Sequence, residues 1–232
     1  MSVSIRVPAL FPLLLGACSA ASAGDGDGYQ RVFEVEPGDW SATGRNDWFV
    51  LEPGYRLVYE NPRKTATLVI TVLDETRIVD GVETRVVEER ETDAGELEEV
   101  SRNFFAISKR TSDVYYFGED VDIYEDGAVA SHGGAWKSGS EGAHFGLMLP
   151  ARPVVGAKWY QEHAPGVALD RAEVLALDKP FDCPAGKFTN CLEIRETSPL
   201  EPGAQESKVY ASGVGLLKDG SLRLVRYGKD SR

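Results

Sequence analysis

The sequence is poor in the residues that most often carry chemistry: 232 positions include three histidines, three cysteines and two methionines. No Gly-x-Ser-x-Gly elbow, His-Glu-x-x-His pair or Gly-x-x-x-x-Gly-Lys loop occurs, so the common hydrolase, zinc-protease and phosphate-binding mechanisms lack their local geometry. Positive charge is also scarce. With 37 acidic against 25 basic side chains the net charge is −12, which argues against nucleic acid and anionic lipid surfaces as partners. No apolar run reaches the ~20 residues that span a bilayer, and there is no capping box before a long amphipathic segment, no heptad run and no fixed-period repeat.

Short β-branched and aromatic segments are abundant, and tight-turn residues separate them. Trp48 to Leu51 and Tyr55 to Tyr59 flank Glu52-Pro53-Gly54. Thr65 to Val79 turns at Asp80-Gly81 into Glu83 to Glu91, a strand charged enough to predict an exposed edge. Glu96 to Ser108 fits both helical and strand periodicity and is read as strand because hairpin signals flank it. Val121 to Tyr124 and Ala128 to Ser131 form a hairpin about Asp126-Gly127, whereas Gly133 to Gly146 has the composition of a close-approach loop. Pro150, Pro153 and Gly156 interrupt the chain from Met148 to Gly156. Trp159 to His163, Ala172 to Leu177, Phe181 to Glu196 about Pro184-Ala185-Gly186, Val209 to Leu217 and Leu222 to Tyr227 complete the strand set. The expected class is all-β, mainly antiparallel: one curled meander forming a barrel, half-barrel or sandwich.

The first residues predict export. Residues 1–17 have a thin positive start at Arg6 and a short apolar stretch, which together read as a signal peptide. Two processing sites compete: Leu15-Gly16-Ala17-Cys18, a lipobox-like string that would lipidate Cys18, and Ala21-Ser22-Ala23, an ordinary signal-peptidase site. Residues 18–28 then read as a flexible tether and 29–232 as a single β-rich domain in the bacterial cell envelope or secreted, touching membrane only through the N-terminal lipid. Either cleavage leaves Cys183 and Cys191 as an even pair in an oxidising compartment, where a structural disulfide is expected.

Three functional candidates follow from the residues. Trp136, His144, Phe145, Met148 and Trp159 could line the mouth of a curled sheet and take an apolar small molecule or a segment of an envelope protein, although the same side chains would serve equally as ordinary core. Glu119, Asp120 and Asp170 could pool with loop carbonyls around calcium; Asp120, Asp122 and Asp126-Gly127 fail the EF-hand spacing by two residues. His132, His144 and His163 could converge on zinc, or one of them could activate Ser131 or Ser140 in an unrecognised hydrolase. A non-catalytic binding domain is the favoured reading, with cation binding and hydrolysis as alternatives.

Val114-Tyr-Tyr-Phe-Gly-Glu-Asp120, Tyr124 with Gly127, Gly134-Ala135-Trp136, Gln161-Glu162, Pro165-Gly166 with Asp170, Pro199-Leu200-Glu201-Pro202-Gly203 and Gly213-Val214-Gly215-Leu216 resemble a widespread family of uncharacterised bacterial secreted proteins. The resemblance spans roughly Gly95 to Leu217 and implies a β-rich extracytoplasmic domain, with no established activity. Leu169 stands where an acidic neighbour of Asp170 is expected, and Cys183 where an aliphatic residue is common, so the resemblance does not itself imply the disulfide.

Overall fold

The computed structural model describes residues 27–229. The expected signal peptide, Cys18, the Ala21-Ser22-Ala23 site and most of the tether lie outside them. The described residues contain no helix. In chain order the strands are β1 (Trp40–Ser41), β2 (Gly44–Arg45), β3 (Val50–Leu51), β4 (Tyr55–Glu60), β5 (Ala66–Val79), β6 (Val82–Asp93), β7 (Glu96–Ser108), β8 (Val114–Glu125), β9 (Ala128–Ser131), β10 (Trp136–Lys137), β11 (His144–Leu149), β12 (Lys158–Tyr160), β13 (Glu162–His163), β14 (Arg171–Cys183), β15 (Gly186–Thr197), β16 (Glu206–Ala211), β17 (Gly215–Asp219) and β18 (Leu222–Lys229).

One antiparallel sheet runs β12-β14-β15-β16-β17-β18-β4-β5-β6-β7-β8-β11-β13. Its two ends, β12 and β13, are separated in sequence only by Gln161, so the sheet curls round until it nearly closes into a barrel. At the seam Gly146 lies opposite Tyr116, and a Cβ on it would stand 2.3 Å from the Gln161 carbonyl oxygen, so glycine lets the closing strand come in. The reversals follow the turn chemistry: Asp80-Gly81 and Asp126-Gly127 both take positive φ at each residue, the backbone that matches strand twist in a two-residue hairpin.

The side facing the lumen alternates along the strands except where bulges reset it. On β7 it carries Ile107, Phe105, Asn103, Ser101 and Glu99; their register partners on β6 are Arg85, Val87, Glu89 and Glu91, and on β8 Val114, Tyr116, Glu119, Val121 and Ile123. The opposite face of β7 and β8 is covered too. Trp40 packs edge-on to Tyr115 and Phe117 at 5.2 Å, with Phe145 stacked on Phe117 at 5.0 Å.

The small β2–β3 hairpin plugs one end. Asn46 fixes it: its Oδ1 accepts from the Trp48 and Phe49 amides, and its Nδ2 donates to Ser112 O and Leu149 O. Phe49 packs on Phe105 at 5.2 Å, and the Gly213 amide reaches Asp47 O from the far wall. At this end the lumen is apolar.

Several expectations need correction. The Glu83 to Glu91 strand is no edge: β6 lies between β5 and β7, and its charge faces the lumen at Glu89 and Glu91. The Gly133 to Gly146 stretch is not all loop, since β10 and the start of β11 pair with β8 and β13. Val209 to Leu217 is two strands, reversed through Ser212-Gly213, with Gly213 at φ 76. Asp27, assigned to the tether, is tied to the domain. Its carboxylate pairs with Arg31 at 3.0 Å and accepts from Tyr160 Oη at 2.9 Å. Cys183 and Cys191 are unbonded in this structure. The β14–β15 register, broken by bulges, sets Cys183 opposite Gly186 and Cys191 opposite Lys179, so the two do not share a rung.

Candidate functional site

Away from the plug the lumen becomes acidic, and the sequence explains how each carboxyl arrives. Lumen-facing positions of β6 and β7 bring Glu89, Glu91 and Glu99. On β15 and β16, Leu192 opposite Tyr210, Ile194 opposite Lys208 and Glu196 opposite Glu206 give the same gradient from apolar to charged. Asp219 of β17 stands opposite Lys208.

Glu119 reaches the lumen through a bulge. The register of β8 against β7 shifts between Asn103 and Phe105, so that both Tyr116 and Glu119 point inward although three residues apart. Gly118 occupies the bulge at φ 120, and a Cβ there would lie 2.2 Å from the Trp136 carbonyl oxygen. Tyr116 Oη donates to Asn103 Oδ1, while Asn103 Nδ2 donates to Val87 O at 3.3 Å and Ser101 Oγ at 3.2 Å.

Lys208 is the cation on this face of β16. Its Nζ lies 3.0 Å from Glu196 and 3.6 Å from Asp219. Glu196 also accepts from Gln161 Nε2 at 2.9 Å, which links the seam to the acidic wall. Burial alone would lower the lysine, yet Asp219 and Glu196 hold its pKa well above the ordinary value.

The other carboxyls are under-compensated, and their proton affinities show it. Burial pushes Glu89 up to about 8, the pull of Lys208 being too weak to offset it. Burial followed by the charges of Glu99 and Glu89 takes Glu119 to about 8. Glu162 is raised well above its usual value by burial and by Asp170 and Glu119. Glu206 is raised to about 7 by burial and Asp219. Carboxylates removed from bulk water without matching donors take up protons rather than stay charged. Glu89, Glu119 and Glu162 nevertheless keep part of their surface accessible, as expected of side chains around an incompletely filled lumen.

Between the plug and this acidic region lies a cavity of about 80 Å³. Trp48, Phe49, Ile70, Val72, Phe105 and Met148 form its apolar side; Glu89, Lys208, Tyr210 and Asp219 form its polar side. The Tyr210 hydroxyl is buried without a hydrogen-bond partner among the described residues. Tyr55 and Tyr59, by contrast, donate to Val214 O at 2.8 Å and Leu216 O at 2.9 Å.

The residues singled out in the sequence are dispersed. Met148 lines the cavity. Trp136 packs on Tyr116 at 5.4 Å and borders a surface cleft of about 240 Å³ with Ala164 and Pro165. His144 is exposed and stacks on His163 at 5.8 Å; Phe145 joins the outer aromatic layer; Trp159 is buried in the core. Of the proposed calcium ligands, Glu119 and Asp170 both belong to the acidic region, whereas Asp120 faces outward, 2.7 Å from Arg77 and 2.5 Å from Lys137. His132 sits apart from the other histidines, 2.9 Å from Asp122. No three His, Cys, Asp or Glu side chains among the described residues are grouped so as to hold a metal ion. Glu89, Lys208, Tyr210 and Asp219 escaped sequence reasoning. The available signal was a polar residue at alternate positions of strands that otherwise read as core.

Comparison of the chain with protein-family models, with curated proteins and with solved structures finds no match.

Proposed function

We propose that this chain is an exported envelope protein, lipid-anchored at Cys18 or released after Ala23, whose barrel binds a small molecule without transforming it. The observation that carries the binding reading is the cavity that meets an aromatic and aliphatic wall on one side and Glu89, Lys208, Tyr210 and Asp219 on the other. An apolar surface with a few convergent polar groups is the usual composition of a small-molecule site. Its small volume, about 80 Å³, suits a short amphiphile better than a fatty acid. Export is supported by the N-terminal string and by the resemblance to secreted bacterial proteins.

Filling the cavity tests the binding reading. Ile70→Trp should retain the wild-type circular dichroism spectrum while abolishing the rise in melting temperature given by four-carbon amphiphiles; an unchanged rise would overturn it. In the exporting host we also propose that Cys183 and Cys191 join in a disulfide. Alkylation before and after reduction checks this, and two freely alkylated thiols in exported material would exclude the bond.

A further inference from the structure

The chemistry of the ligand follows from two groups on the cavity wall that the protein leaves unmatched. Glu89 has no hydrogen-bond or ion-pair partner among the described residues, although Tyr210, Lys208 and Asp219 share its cavity. Tyr210 is 2% exposed, and its hydroxyl is likewise unpartnered. Lys208 contacts neither group: its close pairs are Glu196 at 3.0 Å and Asp219 at 3.6 Å, and it acts on Glu89 only at longer range. On the strands beside Glu89 the lumen-facing neighbours are Ile70 and Ser101, and further along the lumen stand Glu91 and Glu99. None of these is a cation; of the cations on this face, Arg85 of β6 is turned to Ala42 O at 2.8 Å and Asp74 at 3.6 Å, and Lys208 is paired with Glu196 and Asp219.

An anionic ligand would meet this excess of carboxyls, and a neutral one would match Glu89 only in its protonated form, leaving the ionised form without a counter-charge. An ammonium ion would supply the missing positive charge, with Tyr210 Oη as a further acceptor for its N–H groups. The aromatic rings of Trp48, Phe49 and Phe105 suit the polarised methylenes next to a cationic nitrogen, and Met148 and Val72 suit an alkyl body. We infer that the cavity binds an organic ammonium ion with a short alkyl chain, its nitrogen at Glu89 and Tyr210 and its carbons against the plug hairpin. This rests on the reading of the lumen as a small-molecule site.

Butylammonium chloride, 1-butanol and sodium butyrate share one alkyl body and differ in the head. Calcium chloride supplies charge with no body. Each is titrated into the full mature protein at about pH 8, where Glu89 is half ionised, at matched ionic strength, and binding is read by tryptophan fluorescence and by the melting temperature. Butylammonium should bind at least about tenfold more tightly than butanol, with no saturable response to butyrate. Glu89→Gln should weaken butylammonium about tenfold or more and leave butanol unchanged; Tyr210→Phe, which keeps the ring, should weaken butylammonium several-fold and serves if Glu89→Gln fails to fold.

Equal binding of butanol and butylammonium, or an affinity for butylammonium that neither variant changes, would overturn the ammonium inference and leave the small-molecule reading standing. Saturable displacement of butylammonium by calcium at comparable concentration would overturn it in favour of a metal. Failure of all four probes would overturn both.

Discussion

At the residue scale the protein depends on Gly118. A strictly alternating β8 would place Glu119 on the same face as Phe117, among the outer aromatics, and turn Asp120 into the lumen in its place. The bulge spends one residue to reset the alternation, and only glycine fits there, because its φ of 120 and the 2.2 Å approach to Trp136 O both exclude a side chain. Gly118→Ala should therefore destabilise the protein by about 2–3 kcal/mol. Urea unfolding reads this directly. It should also lower the Glu119 proton affinity by displacing that carboxyl, whereas an alanine tolerated within about 0.5 kcal/mol would show that the bulge is not constrained as described.

At the scale of elements the β2–β3 hairpin matters most, because a barrel with one apolar end needs something to cover that end. Asn46 organises it. The side chain is buried, satisfies two amides of its own turn and donates to two carbonyls of the wall. Asn46→Ala leaves those groups unpaired and should cost about 1–3 kcal/mol. Hydrogen exchange gives the sharper test: amides of Trp48 to Leu51 should lose protection while those of β6 and β7 keep theirs, and uniform loss would mean the hairpin does not open independently.

Much of this level was legible in the sequence. Asp80-Gly81 and Asp126-Gly127 fixed two reversals because few residue pairs accept positive φ at both positions, and the ambiguous Glu96 to Ser108 segment is a strand as its flanks required. Other features were not legible, for physical reasons. Glu83 to Glu91 looked like a solvated edge because charge in a strand normally faces water; that Glu89 and Glu91 face a lumen depends on closure through residues 158–163, which no local pattern encodes. The aromatics around Trp136 looked like the mouth of a pocket, but the outer layer of a covered barrel has the same composition. Polar residues such as Lys208 and Tyr210 become a site only when β16 is brought opposite β6.

For the whole molecule, the buried acids set how stability responds to pH. Glu89 and Glu119, each raised to about 8, and Glu206, raised to about 7, bind protons more tightly when folded than the ordinary carboxyl of the unfolded chain. Between the unfolded and folded values the folded state holds more protons, so stability falls as pH rises. Their contribution is complete below about pH 4.5 and is lost as pH passes 7 to 8. Asp27 acts in the opposite sense at the acid end. Burial works against it, but hydrogen bonds from Tyr29, Tyr160 and Arg31 hold its carboxyl at about 2, so its contribution is lost only as pH falls from about 3.8 towards that value. The melting temperature should therefore decline from about pH 5 to pH 8, and Glu89→Gln should flatten the decline; a melting temperature that climbs across that interval would contradict this balance.

The most direct test of the acid-lined lumen is the titration of the Glu89 side-chain carboxyl followed by carbon-13 NMR, in the free protein and with butylammonium present. The predicted midpoint is about 8 in the free protein, moving down towards the ordinary carboxylate range when the ammonium ion takes the place of the proton. A midpoint near 4.5 in the free protein, unchanged by butylammonium, would contradict the account.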